Sequence, residues 1–143
     1  MRQENFPEYP KEIPDFEFPL FVTYLKNGVR RGCIGTFQKA KLSENLTWFA
    51  LISALKDSWY EPISEAEFPE LSVYISLLHS FETIEDKLDW ELGKHGIIID
   101  TTIEGKEYGG TYLPNVPVLN NWDKETTIKW LIKKSGFKVE SLD

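Results

Sequence analysis

Leu20-Phe21-Val22-Thr23-Tyr24-Leu25-Lys26-Asn27-Gly28-Val29-Arg30-Arg31-Gly32-Cys33-Ile34-Gly35 is the stretch on which the fold turns. Leu20 to Leu25 is rich in β-forming residues. Asn27-Gly28 suits a two-residue hairpin turn, because both positions then need positive φ, and Val29 to Gly35 can return as the partner strand. A β-hairpin is therefore expected to open the folded part of the chain.

Upstream of it, Pro7, Pro10, Pro14 and Pro19 fall among Glu and Lys. They remove backbone donors and favour an extended arm over residues 1–18, with the domain proper over 19–140. Downstream, Ser43 or Asn45 can cap a helix reaching Asp57, in which Trp48, Leu51, Ile52 and Leu55 have the spacing of one buried face. Ser64 and Glu67 have capping-box spacing, but Phe68-Pro69 follows so closely that only about one turn can form. Leu71, Val73, Ile75 and Leu77 alternate with Ser72, Tyr74 and Ser76, the pattern of a strand with one buried face.

A second hairpin is read from Ile97 to Ile103 and from Glu107 to Leu113, around the turn Glu104-Gly105-Lys106. Gly109-Gly110 marks a bulge or a close backbone contact, and Pro114 and Pro117 an irregular connection. Asp123 can cap a last helix with Ile128, Leu131 and Ile132 on one side, Lys133 and Lys134 in its final turn and Gly136 beyond it. Hairpins and helices mixed along one chain, without a repeat, imply an α+β fold.

A length of 143 residues is the usual size of one domain, and 41% hydrophobic residues with five Trp supply a core. The formal charge of -7 repels a phosphate backbone, so nucleic acid is not expected as a partner. The acidic residues are dispersed, as on a solvated surface. One cysteine, Cys33, allows no internal disulfide and fits a reducing compartment, cytosol or nucleus. No leader-like start and no run of about 20 apolar residues is present, so no export and no membrane anchoring is expected.

Several segments together resemble the AMMECR-one domain family, named after a human chromosomal deletion syndrome. They are Phe21-Val22-Thr23, Arg31-Gly32-Cys33-Ile34-Gly35-Thr36-Phe37, Ser53-Ala54-Leu55-Lys56-Asp57-Ser58, Leu71 to Leu78, Leu88-Asp89-Trp90-Glu91, His95-Gly96-Ile97, Tyr112-Leu113-Pro114 and Trp122-Asp123. The likeness covers roughly residues 19–138, and Arg-Gly-Cys-Ile-Gly is the family's signature. The resemblance implies an α+β fold of two intimately packed parts, prokaryotic relatives fused to or encoded beside Memo-like and radical-SAM proteins, and no established reaction. Arg30 stands where the family usually has Leu, and Trp59 where it has Arg. The family's leading helix and basic, Tyr-containing C-terminal segment are expected to be missing, which fits a fragment, a splice form or a diverged member alike.

Alternation along Val29 to Gly35 places Arg31, Cys33 and Gly35 on one face and Arg30, Gly32 and Ile34 on the other. Arg31 would then lie ~7 Å along the strand from Cys33, close enough to favour thiolate in a site that excludes water. Gly32 and Gly35 would leave room for a ligand. The opposing account makes Cys33 a small core residue and the glycines a packing device. A nucleophilic Cys33 wants a base, and His79 and His95 are the two imidazoles available. Glu91 and His95 have helical metal-ligand spacing, but Gly93 and Gly96 favour a turn, and no metal site is expected. Asp57 lies at the end of its helix, unfavourably for the helix dipole, and Arg31 is its expected partner.

The candidate site is thus Arg31, Gly32, Gly35 and Asp57 for ligand binding, with Cys33 and His95 as candidate catalytic groups. Two main readings follow. The first is an intracellular module that binds an unknown protein or small molecule around the Arg-Gly-Cys-Ile-Gly motif. The second is an enzyme or cofactor-processing component using Cys33 as nucleophile or carrier, with its cofactor unknown. A nuclear regulatory protein is a weaker alternative, since no recognition helix with clustered Lys or Arg is visible.

Overall fold

The computed structural model describes residues 6–138, which divide into two compact units between Phe81 and Glu82. In the first, strands β1 (Glu17–Lys26) and β2 (Val29–Lys41) form the expected hairpin, and β3 (Leu71–Leu77) pairs with β1 on its other side. All pairings are antiparallel, in the order β2-β1-β3. Asn27 and Gly28 have φ of 50° and 80°, the paired positive values that match the turn to the twist of its strands.

The hairpin is longer than the sequence suggested, and it is bulged. Tyr24 faces Gly32 while Leu25 faces Arg30, so Arg31 is an extra residue with no partner on β1. A bulge resets the alternation. Arg30, opposite Leu25, therefore shares the face of Cys33, opposite Thr23, and the expected common face of Arg31 and Cys33 does not form.

Helix α1 (Leu42–Leu55) packs on the opposite face of the sheet. Leu20, Val22 and Leu42 are buried together, with Tyr9, Phe18, Tyr24, Leu46, Phe49 and Ala50 against them. Shielding a Leu of this kind from water is worth ~1.5–3 kcal/mol. Within the helix Leu42 and Ser53 are buried and Leu46, Phe49 and Ala50 are half-buried against this core; of the expected face, Leu51 and Ile52 are half-buried, while Trp48 is 53% and Leu55 46% exposed. The helix is apolar around most of its circumference, so spacing alone does not select a face. Its start also differs, because neither Ser43 nor Asn45 caps it. Asp15 in the arm accepts from the Ser43 backbone N–H at 2.9 Å and from its hydroxyl at 2.7 Å.

The Ser64–Glu67 capping box forms at the start of a short 3-10 turn, Glu65–Glu70. Strand β3 alternates as expected, but its apolar side is not buried: Val73, Ile75 and Leu77 are all exposed. Among the described residues it is the sheet's edge strand, and α1 packs over β1 and β2 on that face.

In the second unit, β4 (Ile97–Ile103) and β5 (Lys106–Tyr112) pair without interruption through Gly109 and Gly110. Gly110 is a close contact rather than a bulge, since a Cβ there would lie 3.3 Å from Leu131 Cδ1. The expected irregular connection is a short helix, α2 (Asn115–Leu119). Pro117 is tolerated in its first turn, where no backbone N–H has an intrahelical partner. Helix α3 (Lys124–Lys134) follows. Asp123 caps it by accepting from Thr126 N–H at 2.7 Å, and Leu131 and Thr127 are buried beneath it.

Candidate functional site

The signature strand is fastened from two directions. Ser53, buried on α1, donates its hydroxyl to the Val22 carbonyl at 2.8 Å and accepts from the Ile34 N–H at 3.2 Å. Gly32 lies directly over the Ser53 carbonyl, so that a Cβ would collide with that backbone. Gly35 is as tightly placed against the backbone of Leu20 and Phe21. The room these glycines create is filled by protein, which is the packing account and not an opening for a ligand.

The other fastening is Asp57, 6% exposed, just past the end of α1. Its Oδ2 accepts from the Cys33 N–H at 2.9 Å and its Oδ1 from the Trp59 N–H at 3.0 Å. The first bond satisfies a donor on the edge of β2 that faces away from β1, and the second shapes the turn that follows the helix. Arg31 is not the partner of Asp57. Its Nε and Nη2 donate to Glu67 Oε1 and Oε2 at 2.9 and 3.2 Å, and Nη1 and Nη2 donate to the carbonyls of Glu61 and Pro62 at 2.7 and 3.3 Å. The bulge turns Arg31 toward this loop, where a forked guanidinium can meet a carboxylate bidentately. Lys26 also reaches Glu67, at 3.1 Å. The Arg31 guanidinium first, then the Ser64 N–H and Lys26, hold the Glu67 carboxyl far below the usual carboxylate range.

Cys33 is half-buried, and its Sγ receives the hydroxyl of buried Thr23 at 3.1 Å. His79 Nδ1 lies 2.8 Å from the Ser80 hydroxyl. His95 belongs to the second unit, where its Nδ1 accepts from the Glu91 N–H at 3.0 Å and closes the turn before β4. Among the expected site residues, Cys33, Gly32 and Asp57 are therefore brought together through backbone and carboxylate. Arg31 is directed to Glu67, and His95 is occupied by its own turn.

Sequence reasoning passed over four residues that build this region. Thr23 was available from its place opposite Cys33. Ser53 had a signal too, as a polar residue in an apolar helix. Glu67 carried a signal in its capping-box spacing, though nothing tied it to Arg31. Trp59 is 86% exposed directly after the Asp57 turn, and only its departure from the family pattern marked it.

These features define an α+β domain in which a helix-terminal aspartate and a helix serine clamp a Gly-Cys-containing strand. The chain belongs to the AMMECR1 family, whose model matches residues 1–143. An uncharacterized protein of Schizosaccharomyces pombe is 44% identical over 123 residues, covering 83% of this chain and 64% of that protein. One of Arabidopsis thaliana is 42% identical over 135 residues, covering 90% and 63%. The crystal structure of an uncharacterized protein from Pyrococcus horikoshii superimposes with a TM-score of 0.80 at 27% identity, covering 95% of this chain and 71% of that one. The chain spans slightly less than two thirds of the length of these curated relatives. No helix among the described residues is long and apolar enough to cross a membrane.

Proposed function

We propose that the chain is a binding module, acting in cytosol or nucleus, whose recognition surface lies around the Arg-Gly-Cys-Ile-Gly strand and the turn held by Asp57. Gly32, Gly35 and Asp57 act by positioning, Arg31 by anchoring the loop from Glu61 to Glu67, and Trp59 and the half-buried Cys33 by contact with a protein or small-molecule partner. The observation that carries this reading is the presentation of Trp59. A buried carboxylate fixes its backbone, yet the residue is 86% exposed. Large aromatic side chains on ordered backbone supply contact area at little conformational cost, and Trp is enriched where binding energy concentrates.

The test replaces Trp59 by a photo-crosslinking phenylalanine analogue and irradiates the chain in cell extract. Capture of a discrete partner is expected, competed by unmodified chain and not by the Trp59→Ala chain. Equal competition by both, or equal capture from the exposed position of Val29, refutes it.

One observation favours a second reading, in which Cys33 serves as nucleophile or carrier: the Thr23 hydroxyl donates to its sulfur. Intact-mass analysis after incubation with cell extract would then show an adduct on the native chain that is lost in Cys33→Ala. A chain that stays unmodified removes this reading. His95 retains the status of a candidate group only in this alternative, as a base acting with Cys33.

A further inference from the structure

The two edges of the first unit's sheet are treated differently. The β2 edge is guarded: it carries Arg30, Arg31, Lys39 and Lys41, it is bulged, and the loop after α1 covers it through Asp57 and the Glu61 and Pro62 carbonyls. These are the devices by which proteins prevent strand addition. Among the described residues the β3 edge has none of them. Leu71-Ser72-Val73-Tyr74-Ile75-Ser76-Leu77 contains no charge and no proline, and pairs with β1 without a bulge.

Its backbone is also correctly poised. The Leu78 N–H donates to the Pro19 carbonyl, and antiparallel alternation from that bond turns the N–H and C=O groups of Leu71, Val73, Ile75 and Leu77 away from β1. An open ladder of this kind is a template for another strand.

The occupant is written in the strand itself, which reads the same in both directions apart from Val73 and Ile75. We propose that β3 pairs antiparallel with β3 of a second copy of this chain, about a two-fold axis at Tyr74. In that register Leu71 faces Leu77, Ser72 faces Ser76, Val73 faces Ile75 and Tyr74 faces itself. Each residue with outward backbone groups then meets another such residue, giving on the order of eight ladder hydrogen bonds. A two-fold interface requires a self-complementary surface, and an uncharged palindromic strand is one. Glu70 falls opposite Leu78, so no like charges are apposed at the ends of the strand. Tyr74 faces Tyr74 in a closely spaced, non-hydrogen-bonded pair, which sets two rings together, an arrangement that favours cross-strand pairing. Each copy carries a net charge of -7, so the association strengthens as salt screens the repulsion.

Sedimentation equilibrium of the full chain between ~1 and ~200 μM tests this. The expected result is a two-chain species whose dissociation constant falls several-fold between low and high salt. Tyr74→Lys and Tyr74→Glu each set like charges against themselves and give monomers, whereas an equimolar mixture of the two gives a heterodimer. Tyr74 is 54% exposed, so circular dichroism of both variants should match the parent. Should either fail to fold, the double variant Ser72→Lys with Ser76→Glu places opposite charges across the axis twice and tightens association. A monomeric parent at ~200 μM, dimeric single variants, or a double variant no tighter than the parent overturns the proposal.

Discussion

Removing the Asp57 carboxylate exposes what holds the signature strand in place. In Asp57→Ala, the Cys33 N–H on the edge of β2 and the Trp59 N–H in the adjoining turn both lose their acceptor. A hydrogen bond to a charged group contributes ~1.5–3 kcal/mol, and a donor stranded in a buried place costs a similar amount. Trp59 is open to solvent, so its N–H can find water and its share is smaller, ~0.5–1 kcal/mol. The sum is about 2–4 kcal/mol, of which Cys33 carries most. Asp57→Asn keeps one acceptor oxygen but turns an NH₂ toward the other N–H, so it should lose about as much as one charged bond. Amide hydrogen exchange is the direct assay, because 2 kcal/mol corresponds to a roughly 30-fold faster exchange at Cys33 where local opening governs the rate. The Ile34 N–H, held by Ser53, serves as the internal comparison. If Cys33 exchange in Asp57→Ala stays within about threefold of the parent, and the unfolding midpoint does not move, the clamp is not what orders this strand.

Other substitutions separate packing from display. Gly35→Ala forces a methyl against the backbone of Leu20 and Phe21, which cannot move aside as a side chain could; a loss of ~1–3 kcal/mol or failure to fold is expected, and a neutral result in a melting experiment contradicts the close approach. Trp59→Ala should change stability by no more than ~0.5 kcal/mol while removing the crosslinking competition described above; a large stability loss would make Trp59 a structural residue. Glu67 yields a pH signature. Its carboxyl lies below its ordinary value in the folded chain, chiefly through Arg31, so its contribution is complete above the unfolded value of ~4.3 and fades as pH falls toward the folded value. Melting temperatures measured from pH 6 downward should therefore fall less steeply below about pH 4.3 in Glu67→Gln than in the parent, and parallel curves refute the assignment.

Local rules carried much of the fold. Asn27-Gly28 dictated the turn through its need for two positive φ values, and Asp123 with Gly136 bounded α3 through donors and conformations that few other residues supply. What escaped was everything decided by a choice among near-equal local options. Helix α1 is apolar on several sides, so spacing does not select the side bearing Leu46 and Phe49, where Ser53 also bonds the Val22 carbonyl and the Ile34 N–H. The strand β3 alternates faithfully, yet alternation states which residues share a face and not whether anything covers that face.

The site shows the same division more sharply. Gly32, Cys33, Gly35 and Asp57 stood out as residues, but their relations depended on a one-residue bulge that period-two reasoning has no means of seeing. Counting from Cys33 along a regular strand puts Arg31 beside it and offers Asp57 as a nearby anion. With Arg31 as the extra residue, the cation swings to Glu67 and the loop carbonyls, and Asp57 must take its hydrogen bonds from backbone. One inserted residue thus converts an apparent Arg-Cys-Asp constellation into two separate fastenings, an ion pair anchoring the loop from Glu61 to Glu67 and a carboxylate clamp on the signature strand. Between those fastenings the chain displays Trp59, the residue on which the proposed binding surface rests.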